Sequence, residues 1–183
     1  MSELLSPLAP PYDPDTEALL AKLMPPGSAF EPLLLFRLLA VHCDLADRAR
    51  PMASGLLNKG LLPARDREIV ISRTTARSGA EYEWGVHAVI YGPIVGLSPE
   101  FLNALASAEA STFEGHDRLL VEAVDELLSP QPTLSPATLA ALRAVYTEAQ
   151  VLELLLLAGW YRTLSTVILS AELPRESWAA RFP

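Results

Sequence analysis

The sequence predicts an all-α protein, and three observations carry that prediction. Asp13-Pro14-Asp15, Ser98-Pro99-Glu100 and Ser135-Pro136-Ala137 each place a capping side chain before a proline at a first helical position. Between such marks, apolar residues recur at spacings of three and four. No stretch alternates apolar and polar residues between hairpin turns.

Taken in order, the first cap opens a helix over 14–24. Apolar periodicity then predicts helices over 31–47 and 51–59, the second ending near Gly60. Leu62-Pro63-Ala64 opens a helix over 63–78, and Ser78-Gly79 is a connection short enough to lay the next one, 80–92, against it as an antiparallel neighbour. The two remaining proline caps start helices over 98–109 and 136–147. Further periodic segments fall at 116–128 and 150–171. Three parts result: a proline-rich arm with a short helix (1–29), a helical domain (30–172) and a C-terminal arm without periodicity (173–183), which packs on its own subunit or a neighbour.

The chain has 183 residues, half of them hydrophobic and 20% charged, which excludes disorder. A mean hydropathy of +0.24 is high for a soluble monomer, so either a nearly all-buried helical core or apolar surface covered by sister subunits is expected. Fourteen basic residues against twenty-two acidic ones leave a net charge of −8, which repels phosphate backbones and argues against nucleic acid. One cysteine, Cys43, excludes an intrachain disulfide, a Cys-rich metal site and a two-thiol redox centre within one chain. The N-terminus has neither a basic start nor an apolar signal core. The apolar stretch Val151–Leu173 is broken by Glu153, Arg162 and Glu172, so a buried helix is expected there and no membrane partner. The expected location is cytoplasmic.

Polar groups interrupt two apolar stripes. Leu61, Ala64, Glu68, Ile71 and Thr75 share one face of the 63–78 helix, where Glu68 stands inside a packing seam. Ala80, Glu83, His87, Ile90 and Ile94 share a face of the next helix, which is apolar on nearly every side and is therefore expected to be buried centrally. Glu83 and His87 are i and i+4, a spacing at which a carboxylate can orient an imidazole. A buried acid without a partner costs several kcal/mol, so Glu68, Glu83 and His87 are expected to satisfy one another or a water. Such a cluster is either a structural hydrogen-bond group or a proton-transfer site. Three ionisable groups, where one would fix helix register, favour the second.

At these residues the sequence resembles a known family. Leu61-Leu-Pro-Ala-Arg-Asp-Arg-Glu68-Ile-Val-Ile-Ser-Arg, followed by Gly79-Ala-Glu-Tyr-Glu-Trp-Gly-Val-His87, is similar to the carboxymuconolactone decarboxylase family, within the alkylhydroperoxidase D-like (AhpD-like) superfamily. Phe36-Arg-Leu-Leu-Ala-Val-His42 and Leu152–Leu169, with Gly159-Trp-Tyr161, extend the resemblance over roughly 30–172. It implies an AhpD-like helical bundle that assembles as a homo-oligomer, a trimer or hexamer. The peroxidase branch uses Cys-x-x-Cys-x-x-x-His with a glutamate one helix earlier. Here the histidine falls on His87, the glutamate on Glu68, and the two cysteine positions on Ala80 and Glu83. Members are often described as alkylhydroperoxidases or peroxiredoxins, but alanine and glutamate supply neither the attacking nor the resolving thiol. Cys43 beside His42 reads as core filler, and His42 and His116 receive no role.

The expected activity is a cofactor-free, metal-free lyase or isomerase that acts by Glu/His proton transfer on a small unsaturated or lactone carboxylic acid. Glu68, Glu83 and His87 are its catalytic candidates. Tyr82, Trp84, Arg65 and Arg67 are candidates for substrate binding, with Arg73 a further nearby cation. A non-catalytic ligand-binding oligomer ranks second, and a peroxidase third.

Overall fold

The computed structural model describes residues 5–24 and 31–183, so parts of the predicted N-terminal arm (1–4 and 25–30) lie outside it. Nine α-helices occur among the described residues: α1 (Pro14–Leu23), α2 (Leu34–Leu39), α3 (Cys43–Asn58), α4 (Ala64–Arg77), α5 (Glu81–Ile90), α6 (Pro99–Ser107), α7 (Gly115–Leu127), α8 (Pro136–Val145) and α9 (Glu148–Ser170). The proline caps act as the sequence implies. Asp13, Ser98 and Ser135 accept backbone N–H bonds at the starts of α1, α6 and α8. Thr147 and Gln150 form a capping box that starts α9.

The region 31–59 differs from expectation. The chain turns at Ala40–His42 in a short 3-10 segment, and the helix that follows runs through Pro51 without restarting. His42 makes the break, its Nδ1 accepting the Leu45 N–H at 3.3 Å as the N-cap of α3. Pro51 is exposed, so the carbonyl bond lost to its missing N–H lies on the solvent side, where water replaces it.

The central helix is α4, not α5. It packs on α5, α6, α7 and α9, and every residue from Glu68 to Thr75 is buried. Its polar side chains are accommodated from within. Thr75 Oγ1 donates to the carbonyls of Ile71 and Ser72, and Arg73 is fully buried against Asp125. Helix α5 is buried from Tyr82 to His87 but surfaces at Val89. Gly79 at φ +75° makes the tight turn between the two helices.

Helix α9 is long and apolar enough to span a membrane by length and composition, yet it packs on α3, α4, α5, α7 and α8. Its inner stripe is Leu154, Leu157, Ala158, Tyr161, Leu164, Ser165 and Ile168. Glu153 points into the fold and accepts the N–H groups of Leu61 (2.6 Å) and Leu62 (3.1 Å) just ahead of α4. Leu152, Leu155, Leu156 and Leu169 stay exposed on the other side.

The C-terminal arm lies on its own subunit, across α5. Glu176 accepts the Leu34 N–H and the Tyr82 hydroxyl, Ala180 N–H donates to Gly85 O, and Phe182 N–H donates to Glu81. Gly85 permits this approach, because a Cβ there would collide with the Ala180 carbonyl.

Candidate functional site

Helices α4, α5 and α9 each send one polar group to a common point. Glu68 arrives from the first half of α4, His87 from the last turn of α5 and Tyr161 from the middle of α9. The imidazole Nδ1 lies 2.7 Å from Glu68 Oε2. A carboxylate only accepts, so Nδ1 carries a proton. On the other side, Nε2 lies 3.2 Å from Tyr161 Oη and 3.6 Å from Glu83 Oε1. Arg67 closes the outer edge, with Nε 3.4 Å from Glu68 Oε1. The Tyr91 ring stacks on the imidazole at 4.7 Å between centroids, and Tyr161 meets it edge-on at 5.2 Å.

The cluster is buried: His87 is 3% exposed, Glu68 1%, Glu83 6% and Tyr161 4%. Burial works against a charged imidazole, but the carboxylates of Glu68 and Glu83 outweigh it and hold His87 up to about 9. His87 is therefore an imidazolium at neutral pH, an acid and donor. Burial, reinforced by Glu83 and Glu68, pushes the Tyr161 phenol well above its ordinary value, so it stays protonated. Half-buried Tyr91 is raised for the same reasons, burial first. The two surface grooves beside α9, which share Leu128 and Arg162 among their lining residues, include none of Glu68, Glu83 or His87.

The structure brings Glu68, Glu83, His87 and Arg67 together. It does not bring Arg65, Tyr82 or Trp84 to them. Arg65 forms a bidentate pair with Asp117 (2.5 and 2.8 Å) and lies over the Phe101 ring. Tyr82 donates to Glu176 at 2.7 Å and accepts from Leu35 N–H, so it anchors the C-terminal arm. Trp84 is a core residue, 1% exposed and 5.3 Å from the Phe182 ring. The cause is helical geometry. Tyr82 and Trp84 flank Glu83 in sequence and so point about 100° to either side of the Glu83/His87 face. Arg73 is likewise committed, to Asp125 and to the carbonyls of Leu105 and Ala108.

Two residues of the cluster receive no site role from the sequence, in which Tyr91 beside the triad reads as packing and Tyr161 as part of the closing helix. Tyr91 is i+4 from His87, so the spacing that paired Glu83 with His87 finds it one turn further on. Tyr161 sits in the buried stripe of α9, where its only signal is that a buried phenol needs a hydrogen-bond partner. A second carboxylate–imidazole–phenol group also forms. Asp66 Oδ2 accepts the Tyr146 hydroxyl at 2.6 Å and lies 3.0 Å from Nε2 of half-exposed His116.

At the two positions where the resemblance would place cysteines, Ala80 is fully buried and Glu83 faces His87. Cys43 lies elsewhere, in the small cluster of α1 and α3, with Sγ donating to Ala40 O at 3.2 Å. No grouping of three His, Cys, Asp or Glu side chains suited to a metal occurs among the described residues.

No family model matches the chain. No curated protein matches it either. Among solved structures, a protein from Silicibacter sp. TM1040 described as an uncharacterised peroxidase-related protein superposes with a TM-score of 0.80. The match covers 95% of this chain and 93% of that one, at 12% identity. An identity this low speaks for architecture alone, and on that ground the all-helical chain has the AhpD-like fold.

Proposed function

We propose that this chain is a cofactor-free lyase or isomerase of the carboxymuconolactone decarboxylase type, working by proton transfer at His87. The observation that carries the proposal is the imidazole held between Glu68 at 2.7 Å and Tyr161 at 3.2 Å, with Glu83 next to it. An imidazolium kept charged by two carboxylates suits the protonation of an oxygen that turns anionic as a carboxyl group leaves. Arg67, 14% exposed in its side chain and bound only weakly to Glu68, is the cation positioned to meet a substrate carboxylate at the edge of the cluster. A screen of small unsaturated and lactone carboxylic acids tests the reading. Turnover is expected in the parent, absent in His87→Gln, and falling as pH rises through about 9, where the imidazolium is lost. Turnover that survives His87→Gln would remove the assignment.

One observation favours a second reading, a non-catalytic oligomer: the cluster is almost sealed within the chain, as a structural hydrogen-bond group would be. Tyr91, half-buried over the imidazole, is the side chain whose rotation would open it. A peroxidase role has no support in the chemistry. Cys43 packs against Leu19, Leu20, Ala40 and Ala46, its Sγ engaged with Ala40 O rather than with His87, and no second thiol exists in the chain. Organic hydroperoxide is expected to persist with the parent and with Cys43→Ser alike, and consumption lost in Cys43→Ser would overturn this.

We further propose that the chain self-associates through the exposed leucines of α9. Leu152, Leu155, Leu156 and Leu169 leave an apolar face that a small soluble protein normally covers. Sedimentation is expected to show an oligomer at micromolar concentration and a smaller species for Leu155→Glu with Leu156→Glu. A monomeric parent would refute it.

A further inference from the structure

We propose that Tyr161, rather than His87, is the group that touches the reacting oxygen of the substrate, with His87 behind it as the proton reservoir. The inference rests on the proton-transfer reading and deepens it.

Glu68 fixes one proton on Nδ1, so the chemistry of the imidazolium lies at Nε2. Two oxygens face Nε2, and only Tyr161 Oη at 3.2 Å is within hydrogen-bond range, since Glu83 Oε1 stands at 3.6 Å. The Nε2–H therefore occupies a lone pair of Oη. The phenol's own O–H must then point elsewhere, and among the described residues Tyr161 Oη has no second hydrogen-bond partner. A phenol that is 96% buried normally places its proton on an acceptor. Here that donor is left without a partner among the described residues, next to an imidazolium that polarises it, and such polarisation strengthens a hydrogen bond to an anion. His87 has no free N–H to offer, as both of its protons are already engaged.

On the decarboxylase reading proposed above, the substrate is a carbonyl compound whose conjugated double bond ends at the saturated carbon that bears the carboxylate. As the bond to the carboxyl group breaks and CO2 leaves, its electron pair moves through the double bond to the carbonyl oxygen. Tyr161 gives that oxygen its proton and takes the Nε2 proton of His87. An enol, a neutral phenol and a neutral imidazole on Glu68 result. As the enol carbon takes a proton from solvent, the enol O–H proton returns through Tyr161 to His87.

The test uses 4-nitrophenolate, a stable oxyanion whose absorbance reports binding, below about pH 9 where His87 keeps its charge. The parent is expected to bind it. Tyr161→Phe should weaken binding by about tenfold or more, the contribution of one hydrogen bond to a charge. The His87 titration, followed by NMR, should stay near 9 in that variant because both carboxylates remain. Replacement of Tyr161 by 3-fluorotyrosine, a more acidic phenol of the same shape, should tighten binding. Equal affinity in the parent and Tyr161→Phe, no effect of fluorination, or no binding to the parent overturns the assignment. Loss in Tyr161→Phe with full binding in His87→Gln would instead keep Tyr161 as donor and remove the role of His87. The two failures are thus distinguishable.

Discussion

Glu68→Gln is expected to bring the titration of His87 down from about 9 to its ordinary value or below, and to end turnover. The amide keeps the shape and an acceptor for Nδ1–H but removes the charge, so burial then works against the imidazolium with only Glu83 opposing it. The sign of the stability effect follows. A histidine whose folded value is raised above its unfolded ~6.5 contributes stability that is fully present below ~6.5 and is lost as pH rises through about 9. At about 1.4 kcal/mol per pH unit, the raised value corresponds to roughly 3 kcal/mol. For a domain of this size that is on the order of 10 °C in melting temperature. The parent should therefore melt well above Glu68→Gln near pH 6, and the two should converge above pH 9. Parallel melting curves across that range would mean that His87 carries no charge against Glu68, and the acid role would fall with it.

How much of this could be seen in the sequence depends on what each residue had to signal. A carboxylate or an imidazole inside an apolar stripe is costly, so Glu68, Glu83 and His87 stood out from spacing alone. Tyrosine carries no such penalty. Tyr161 looks like one more core residue of α9 until the imidazole facing it is known. The order of burial was also hidden. Helix α5 reads as more apolar than α4, yet α4 is central, because Arg73, Thr75 and Glu68 find their partners inside the fold. Hydropathy registers the polarity of a side chain and not whether a neighbour satisfies it. Near residue 51 the opposite error arises. Proline reads as a break, but on the exposed side of α3 the lost bond goes to water and the helix continues.

The buried guanidinium that makes α4 tolerable at the centre supports the second large effect. Arg73 is fully buried and saturates its fork. Nε and Nη2 reach the two oxygens of Asp125 at 2.8 and 2.7 Å, while Nη1 donates to Leu105 O and Ala108 O at 2.9 Å each. One side chain thus ties α4 to α7 and to the end of α6, five residues beyond Glu68 on the same helix. Arg73→Met keeps much of the volume and removes every donor. Asp125 is left with Arg77 at 3.3 Å, and two carbonyls lose their partner. Removing one partner of a buried ion pair typically costs about 3–5 kcal/mol, here toward the lower end because Arg77 still faces the partly buried Asp125. The melting temperature should therefore fall by on the order of 10 °C or more. Arg73→Lys should recover little of this, since one ammonium cannot span a carboxylate and two carbonyls at once. Replacing Asp125 as well, in Arg73→Met with Asp125→Leu, should restore part of the loss, because the partly buried carboxylate that lost its main partner is then gone and the exposed Arg77 is solvated. Thermal melts of the three variants decide the matter: an Arg73→Met protein that melts with the parent would show that α4 is held by its apolar packing alone and that the position of Glu68 does not depend on this anchor.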